Sequence, residues 1–311
     1  MPRTDFPPIR ACLFDMDGLL LDTEDIYTEC VNIILARHGR PNMPWSIKAK
    51  LQGRPGPAAN KIFHDWAGLP ITQEEYVAQN SALQRELFPK TQPLPGVPQL
   101  LTNLDRTRYW TRKGAAIDEA AATAAALANG REPEAGVRAK RVHIALATSS
   151  HRANFEIKTD KLNDLFTVFP TNRRVLGDDT RMKPGRGKPL PDIFLLALQT
   201  INDSLDAGEE PIKPEECLVF EDSVPGVEAG RRAGMRVVWV PHPKLKEEYE
   251  GREGEILAGR MGEGGDVDLH QLGEIDDGWA EYLPNLENFP YDKYRIVVPS
   301  AEVEEDESMR N

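Results

Sequence analysis

Short apolar segments that end in polar or acidic side chains recur along this chain of 311 residues. Each segment has the length and the apolar, β-branched or aromatic content of a buried strand. Three of them are residues 9–14 before Asp15-Met16-Asp17-Gly18, residues 142–147 before Thr148-Ser149-Ser150, and residues 217–220 before Glu221-Asp222. Buried strands with polar ends constrain the fold of this chain more than any other feature.

Helical patterns separate these predicted strands. One helix is expected to begin near Thr23, another opens at Pro191-Asp192, and a third follows Glu221-Asp222 and leads to a strand at residues 236–240. A further short strand is expected at residues 166–169. Strands that alternate with helices form a parallel sheet covered on both faces. The sequence therefore predicts a doubly wound, Rossmann-like α/β core.

The long segment between the first two predicted strands is expected to be helical. Pro41, Pro44, Pro55 and Pro57 divide it, and no convincing strand occurs before Pro98. We expect a small all-helical domain over residues 23–92, inserted after the first strand of a core formed by residues 1–22 and 93–241. Within that core, residues 106–141 have a weak apolar face, which predicts a surface insertion.

The acidity of the chain belongs to its C-terminal segment. Residues 242–311 contain 19 acidic and 7 basic side chains, a difference equal to the formal net charge of −12 for the whole chain. The main body is neutral overall, and the charge argues against a nucleic-acid backbone as partner. We interpret residues 242–311 as an acidic extension that contributes no strand-end residue to a functional site, and we expect its apolar pattern at Val267, Leu269 and Leu272 to pack on the core.

The sequence also argues against export and membrane insertion. Its apolar runs are much shorter than the roughly 20 residues of a membrane helix, and its first residues lack the basic and apolar regions of a signal peptide. Cys12, Cys30 and Cys217 are too scattered for a disulfide framework. These features predict a cytoplasmic protein and leave its oligomeric state open.

The polar strand ends should meet in one place. In doubly wound sheets, the loops at the carboxyl ends of the strands form the binding crevice. The residues gathered there would be Asp15, Asp17, Thr148, Glu221 and Asp222. Gathered carboxylates repel one another unless a cation joins them, and Lys188 lies in a loop that could supply one. Oxygen ligands with a phosphate partner form the environment that Mg²⁺ prefers.

Four short motifs in this order resemble those of the haloacid-dehalogenase-like hydrolases. They are Phe14-Asp15-Met16-Asp17-Gly18 with Leu21-Asp22-Thr23, then Ala147-Thr148-Ser149, Gly187-Lys188-Pro189 and Phe220-Glu221-Asp222-Ser223. A lone Asp-x-Asp is weak evidence, whereas four motifs in order are strong. The resemblance spans about residues 8–241 and implies a hydrolase whose small helical cap closes over the active site.

The resemblance implies a role for each carboxylate of the first motif. Asp15 would attack phosphorus as the nucleophile and form an aspartyl-phosphate. Asp17 would protonate the leaving oxygen and later take a proton from water. Displacement of halide needs no such acid, so Asp17 favours a phosphatase over a dehalogenase.

The remaining motifs imply groups that bind phosphate and metal. Thr148 and Ser149 would bind phosphoryl oxygens, and Lys188 would offset their negative charge. Lys183-Pro184 imitates the motif of Lys188, but only Lys188 precedes the helix that opens at Pro191-Asp192. The implied cofactor is Mg²⁺. Its ligands would be Asp15, the main-chain oxygen of Asp17 and Asp222, with Glu221 acting through water.

Longer stretches around the same motifs are similar to the pseudouridine-5'-phosphatase group of this family. This resemblance implies a small phosphorylated metabolite as substrate, with a nucleotide-like phosphate first. Arg54, in residues 51–56 of the expected cap, would orient the head group, although a solvated loop arginine is an equally simple interpretation.

Other functions stay open at this point. Phosphatases of 2-deoxyglucose 6-phosphate or glycerol phosphate share the core motifs, and so do sugar phosphomutases. A non-enzymatic scaffold is a further alternative, against which the intact charge cluster argues.

Overall fold

The computed structural model describes residues 2–107, 141–263 and 273–299. These ranges contain a sheet of six strands in the order β3-β2-β1-β4-β5-β6, and every neighbouring pair is parallel. The strands are β1 (Ala11–Phe14), β2 (His143–Ala147), β3 (Arg174–Val175), β4 (Cys217–Glu221), β5 (Arg236–Trp239) and β6 (Ala280–Tyr282). The strand order changes direction beside β1, which confirms the doubly wound α/β core.

The register of the sheet brings the ends of its three central strands to one level. Strand β1 lies between β2 and β4, and Phe14 pairs with Leu146 on one side and Phe220 on the other. The polar residues that follow these strands therefore emerge side by side at the carboxyl edge of the sheet.

The described residues also form helices, some of which cover the two faces of this sheet. The first five are α1 (Thr23–Arg37), α2 (Trp45–Leu51), α3 (Gly56–Ala67), α4 (Gln73–Leu87) and α5 (Val97–Arg106). The next are α6 (Arg152–Thr159), α7 (Asn163–Phe166), α8 (Asp192–Asn202), α9 (Val224–Arg232), α10 (Pro243–Glu248) and α11 (Glu253–Leu257). Cys12 and Phe14 belong to the apolar cluster that contains α5, and Ala11 and Leu13 to the cluster that contains α8 and α9. Burial on both faces explains why β1 is apolar throughout.

Helices α1 to α4 connect β1 to β2 and bury an apolar cluster of their own. Ile34 and Leu35 of α1 pack there with Phe63 of α3 and Tyr76 of α4. A capping box at Thr72 stabilises the beginning of α4. This helical segment thus has an internal core besides the two clusters that flank the sheet.

The prediction of a strand at residues 166–169 is wrong. Phe166 ends helix α7, and the third strand of the sheet is the two-residue β3 instead. Phe166 and Phe169 are both buried, with ring centroids 5.9 Å apart. A spacing of three residues puts both rings on one side of a helical turn, whereas β3 is too short to leave a pattern in the sequence.

The sheet continues beyond residue 241, where the sequence analysis set the beginning of an extension. Strand β6 pairs with β5, and Leu286, Phe289 and Tyr294 enter the apolar cluster on the α5 side. Glycine, proline and acidic residues separate these apolar residues in the sequence. No continuous apolar run therefore predicts a strand or a buried segment there.

Two predicted segments lie largely outside the described residues. These are residues 108–140 of the expected surface insertion, and residues 264–272, with Val267, Leu269 and Leu272, and 300–311 of the acidic extension. Within the described ranges, no helix combines the length and apolar character that crossing a bilayer requires.

Candidate active site

Asp15 follows β1 directly and lies buried beside Lys188 and Glu221. The Lys188 ammonium donates to the Asp15 carboxylate and pairs with Glu221 Oε1 at 2.5 Å. Burial raises the pKa of Asp15 to about 7; Lys188 opposes this rise, while Glu221 and Asp17 add to it. Burial favours the neutral form of Lys188, but the two carboxylates outweigh it and raise the Lys188 pKa. One buried cation is therefore shared between two carboxylates.

Asp222 completes a group of crowded carboxylates at this edge. It is 1% exposed and accepts a hydrogen bond from the Gln52 side chain. Burial raises its pKa well above the ordinary value, and Glu221, Asp15 and Glu24 raise it further. Gly18 makes room for this crowding, because a Cβ there would collide with Asp222 and the backbone φ is +79°.

Asp17 is bound through both of its carboxylate oxygens. Oδ1 accepts from Thr23 Oγ1 at 2.6 Å and from the Lys158 ammonium, and Oδ2 accepts from Ser150 Oγ at 2.6 Å. Burial alone would raise the pKa of Asp17, yet Lys158 and these hydrogen bonds hold it below the ordinary value. The ionised carboxylate is the form that these contacts stabilise.

Lys158 and Tyr27 are functional-site residues that the sequence analysis missed. Lys158 Nζ also donates to Tyr27 Oη at 2.7 Å and to Ser150 Oγ at 2.8 Å, and it lies 4.6 Å from the ring centroids of Tyr27 and Phe88. A weak signal was present, because Lys158 follows the buried Phe155 by three residues and shares its helix face. A lysine on an apolar helix face is more often a solvated neighbour of the core, so spacing alone could not select it.

Thr148 and Ser149 follow β2 directly, and Thr148 lines the cavity together with Asp15. Thr148 has no exposed surface, and its hydroxyl oxygen accepts from the Ser150 main-chain N–H at 3.1 Å. Ser149 instead donates its hydroxyl to the Gly53 carbonyl oxygen at 3.0 Å. Thr148 lines the same cavity as Asp15 and Asp17, whereas the Ser149 hydroxyl binds the strand end to the helical segment.

The loop after α2 covers the cluster of carboxylates formed by Asp15, Glu221 and Asp222. Gln52 binds Asp222, and Gly53, with a φ of +75°, lies so close to Ser223 that a Cβ there would collide with it. Lys48 of α2 pairs with Glu24 of α1, and both side chains are at most 8% exposed. The helical segment thus lies directly over the strand ends and shields them from solvent.

A cavity of about 440 Å³ extends from the strand ends into the helical segment. Asp15, Asp17 and Thr148 line its floor, and a face of α4 lines its wall. The wall residues, which we call the head-group face, are Phe63, Tyr76, Asn80, Gln84 and Asn154. The Phe63 and Tyr76 rings stack with centroids 4.6 Å apart, and Asn154 Nδ2 donates to Gln84 Oε1 at 3.3 Å.

The head-group face carries amides and aromatic rings and no charge. Asn80 Oδ1 is buried there without a hydrogen-bond partner among the described residues. Such an acceptor costs free energy unless a donor reaches it. The geometry therefore suits a neutral ligand with N–H or O–H groups at this depth.

Arg54 lies on the wall of the same cavity. Its guanidinium pairs with Glu263 and donates through Nε to the Lys50 carbonyl oxygen at 2.7 Å. Glu263 belongs to the segment 242–311, so a residue of that segment contacts a side chain of the cavity wall. Glu263 and the Lys50 carbonyl oxygen thus bind guanidinium N–H donors that the sequence analysis assigned to a substrate.

The donors available to a metal ion are hard oxygens. No three His, Cys, Asp or Glu side chains form a ready-made metal cage in the described parts of the chain. Asp15 and Asp222 offer two carboxylates instead, and the negative charge of Asp15 contributes to the raised pKa of Asp222. One or two carboxylates with water and phosphate oxygens are a typical Mg²⁺ environment, so this donor set fits Mg²⁺.

Known proteins agree with this fold. A family-wide sequence profile of the haloacid dehalogenase-like hydrolases matches residues 9–234. A Saccharomyces cerevisiae protein named as a probable pseudouridine-5'-phosphatase is 40% identical over 252 residues, which cover 81% of this chain and 90% of that protein. An Arabidopsis thaliana (DL)-glycerol-3-phosphatase is 32% identical over 251 residues, which cover 80% of this chain and 86% of that protein.

The overall architecture also matches a solved structure of a haloacid dehalogenase-like protein from Agrobacterium tumefaciens. The TM-score is 0.54 at 18% identity, with 91% of this chain and 96% of that chain covered. At this identity the match supports the fold alone. The chain belongs to the haloacid dehalogenase-like hydrolases, and its relatives place it among the phosphoric monoester hydrolases of that family.

Proposed function

We propose that the enzyme hydrolyses a small phosphomonoester with a neutral, nucleoside-like head group, in two steps through an aspartyl-phosphate on Asp15. Pseudouridine 5'-phosphate is the first candidate substrate. The observation that carries this proposal is the continuity of one covered cavity. A buried, cation-paired carboxylate lies at its floor, and an uncharged amide and aromatic wall lies at its far end.

Asp15 attacks phosphorus, and the bond between phosphorus and the leaving oxygen breaks. Lys188, buried between Asp15 and Glu221, offsets the negative charge of the incoming phosphoryl group. Thr148 binds a phosphoryl oxygen beside it, and Ser149 contributes through its main chain, because its hydroxyl already binds Gly53. Water then attacks the aspartyl-phosphate and releases inorganic phosphate.

Asp17 transfers the proton in both steps. It gives a proton to the leaving oxygen in the first step and takes one from the attacking water in the second. The contacts from Lys158, Ser150 and Thr23 stabilise the ionised carboxylate, which is the form present between the two steps. Lys158 therefore acts on the reaction through the orientation and charge of Asp17.

The proposed cofactor is Mg²⁺. Asp15 and Asp222 would hold it through carboxylate oxygens together with the main-chain oxygen of Asp17, and Glu221 would act through water. When bound, the ion would reduce the repulsion between the anionic nucleophile and the anionic substrate. Activity should vanish with EDTA and return with added Mg²⁺, and activity unaffected by chelator would contradict this assignment.

Residues 23–92 form the cap of this enzyme in our proposal, over a core of residues 1–22 and 93–241 that strand β6 completes. The support is the separate apolar cluster of α1 to α4 and the contacts of Gln52 and Gly53 with the strand ends. Release of product then requires these contacts to open.

The neutral head-group face favours a nucleoside over an anionic head group. Charged side chains on the cavity lining are otherwise at the strand ends or in the pairs Glu24–Lys48 and Arg54–Glu263. A cavity of about 440 Å³ lies in the range that encloses a metabolite larger than glycerol phosphate. Pseudouridine also supplies N–H donors for the buried oxygen of Asn80.

The test is phosphate release from a matched panel. Pseudouridine 5'-phosphate, flavin mononucleotide, 2-deoxyglucose 6-phosphate and glycerol 3-phosphate would be compared by kcat/KM with Mg²⁺ present. We expect the highest value for pseudouridine 5'-phosphate. A preference for either of the last two would reject the nucleoside head group, and an isomerised sugar phosphate without free phosphate would identify a phosphomutase.

We further propose that the enzyme acts in the cytoplasm. Its three cysteines are buried and unpaired, which suits a reducing compartment. Fractionation of cells is the measurement: recovery in the cytoplasmic fraction is expected, and recovery in an organelle fraction would contradict the proposal.

A further inference from the structure

A second cavity, of about 360 Å³, lies at the amino edge of the sheet, opposite the active site. The beginning of β5, the segment before β1 and the segment after β6 enclose it. Its chemistry is basic and aromatic, unlike that of the strongly acidic chain as a whole. The residues that matter are Arg3, Phe6, Arg236, Lys293, Tyr294 and Arg295.

Arg236, the first residue of β5, is the centre of this cavity. It is 7% exposed, and its guanidinium carbon lies 4.6 Å from the ring centroids of both Phe6 and Tyr294. It has no hydrogen bond or ion pair with any residue in the described parts of the chain. The guanidinium carries five N–H donors with no acceptor among the described residues, and it lines a cavity that an anion can enter.

The other charges around Arg236 increase the need for an anion. Arg295 has no described ion pair, while Arg3 pairs with Asp5 at 2.9 Å. The one carboxylate on the lining, Glu281, already accepts from Lys293 and from the Tyr294 hydroxyl. Burial lowers the pKa of Arg236 to about 10; nearby Glu281 opposes this, and Arg295 and Arg3 add to it.

We propose that this cavity is an anion-binding site for a phosphate group, either free or carried by a small metabolite, with Arg236 as its principal donor. The planar fork of arginine matches two oxygens of a phosphate. Arg295 supplies further positive charge for a dianion, whereas the charge of Arg3 is already offset by Asp5 and Glu215. The rings of Phe6 and Tyr294 hold the guanidinium in place by cation–π contact. The site is independent of the function proposed above.

The experiment is calorimetric titration of the full-length protein with inorganic phosphate at constant ionic strength. The wild type is compared with R236Q, R236K and R295Q. We expect R236Q to bind one phosphate fewer per chain than the wild type. R295Q should weaken the same site roughly tenfold, the scale of one charged hydrogen bond, and R236K should lie between these. The active site binds phosphate equally in all four proteins, so it cancels from the comparison.

Folding and ligand source are controlled in the same series. Arg295 is exposed, so R295Q keeps the test decisive if R236Q fails to fold, and unchanged kcat on p-nitrophenyl phosphate reports an intact enzyme. Methylphosphonate bound as tightly as phosphate would identify an esterified phosphate as a ligand, and binding of inorganic phosphate alone would identify the free anion. Identical stoichiometry and affinity in the wild type and R295Q would overturn the proposal.

Discussion

The strand ends and the head-group face line one cavity but differ in charge: the strand ends carry buried ionisable groups, and the head-group face carries neutral ones. At the strand ends, Asp15 and Asp17 are each bound by a fully buried lysine, Lys188 and Lys158. On the head-group face, Asn80 and Gln84 are neutral and form no ion pair. The acceptor oxygen of Asn80 has no hydrogen-bond partner among the described residues. One region concentrates charge and offsets part of it with buried lysines, and the other leaves neutral polar groups for a ligand to complete.

This difference teaches how chemistry and specificity are separated in the molecule. Buried charges that are paired within the protein are already positioned before substrate arrives, which supports catalysis through pre-organised electrostatics. A buried neutral acceptor without a partner discriminates between ligands, because only a ligand with a donor removes the cost of its burial. Changes at the strand ends should therefore affect all substrates, and changes on the head-group face only the larger ones.

The largest expected effect comes from Asp15→Asn. An amide cannot attack phosphorus, so kcat should fall by at least about 10⁴-fold for every substrate, p-nitrophenyl phosphate included. Phosphate release is the measurement, and Asp164→Asn, an exposed change on helix α7, is the matched control. Near-normal turnover of the Asp15 variant would remove it as the nucleophile.

Asp17→Asn should be the next largest, with a loss of about 10²-fold or more in kcat, the usual scale of general acid–base catalysis. The loss should be greater for alkyl phosphates than for p-nitrophenyl phosphate, whose leaving group needs less protonation. Lys158→Met removes the partner of Asp17 in the Lys158–Asp17 ion pair. It should also lower kcat more for alkyl phosphates than for p-nitrophenyl phosphate, but by a smaller factor than Asp17→Asn. Equal losses for both leaving groups would contradict the role of Asp17 as an acid.

A smaller effect is expected on the head-group face. Asn80→Leu removes the buried acceptor and should lower kcat/KM for pseudouridine 5'-phosphate by about tenfold, the scale of one lost hydrogen bond in a buried site. p-Nitrophenyl phosphate, which does not reach this face, should be unaffected. Gln79→Leu, next to it on α4 but outside the cavity lining, is the control, and an equal loss in the control would mean that α4 is merely destabilised.

Arg54→Ala should have the smallest effect, a decrease of only a few-fold in kcat/KM for the best substrate. Its guanidinium already pairs with Glu263, so little of its charge is available to a ligand. Measuring Glu263→Gln in parallel sharpens this expectation, because release of Arg54 should leave kcat/KM unchanged or raise it. A loss of tenfold or more in Arg54→Ala would restore Arg54 as a direct substrate contact.

The sequence allowed the strand ends to be predicted because their residues lie in short motifs directly after apolar strands. Asp15 and Glu221 needed only the position of a strand end and the alternation of strands and helices. The helix that opens at Pro191-Asp192 identified Lys188 over Lys183, and the structure buries Lys188 against Asp15 while Lys183 is exposed.

The head-group face could not be predicted in this way. Asn80, Gln84 and Asn154 lie on two helices, α4 and α6, separated by about 70 residues, and meet only after the helical segment folds over the sheet. Single polar residues on helices have no spacing that separates ligand contacts from solvated positions. Strand β6 was missed for a similar reason, since its apolar neighbours are dispersed among turn-forming residues.

The most direct test of the account is to trap the enzyme during turnover. Acid quenching within the first turnover with a good substrate, followed by mass spectrometry of the peptide that contains Asp15, would show whether a phosphoryl group is attached. The account predicts a phosphorylated Asp15 that disappears as substrate is exhausted and never forms in Asp15→Asn. A phosphoryl group on another residue, or full turnover with no labelled enzyme under conditions in which breakdown of the intermediate is slow, would contradict it.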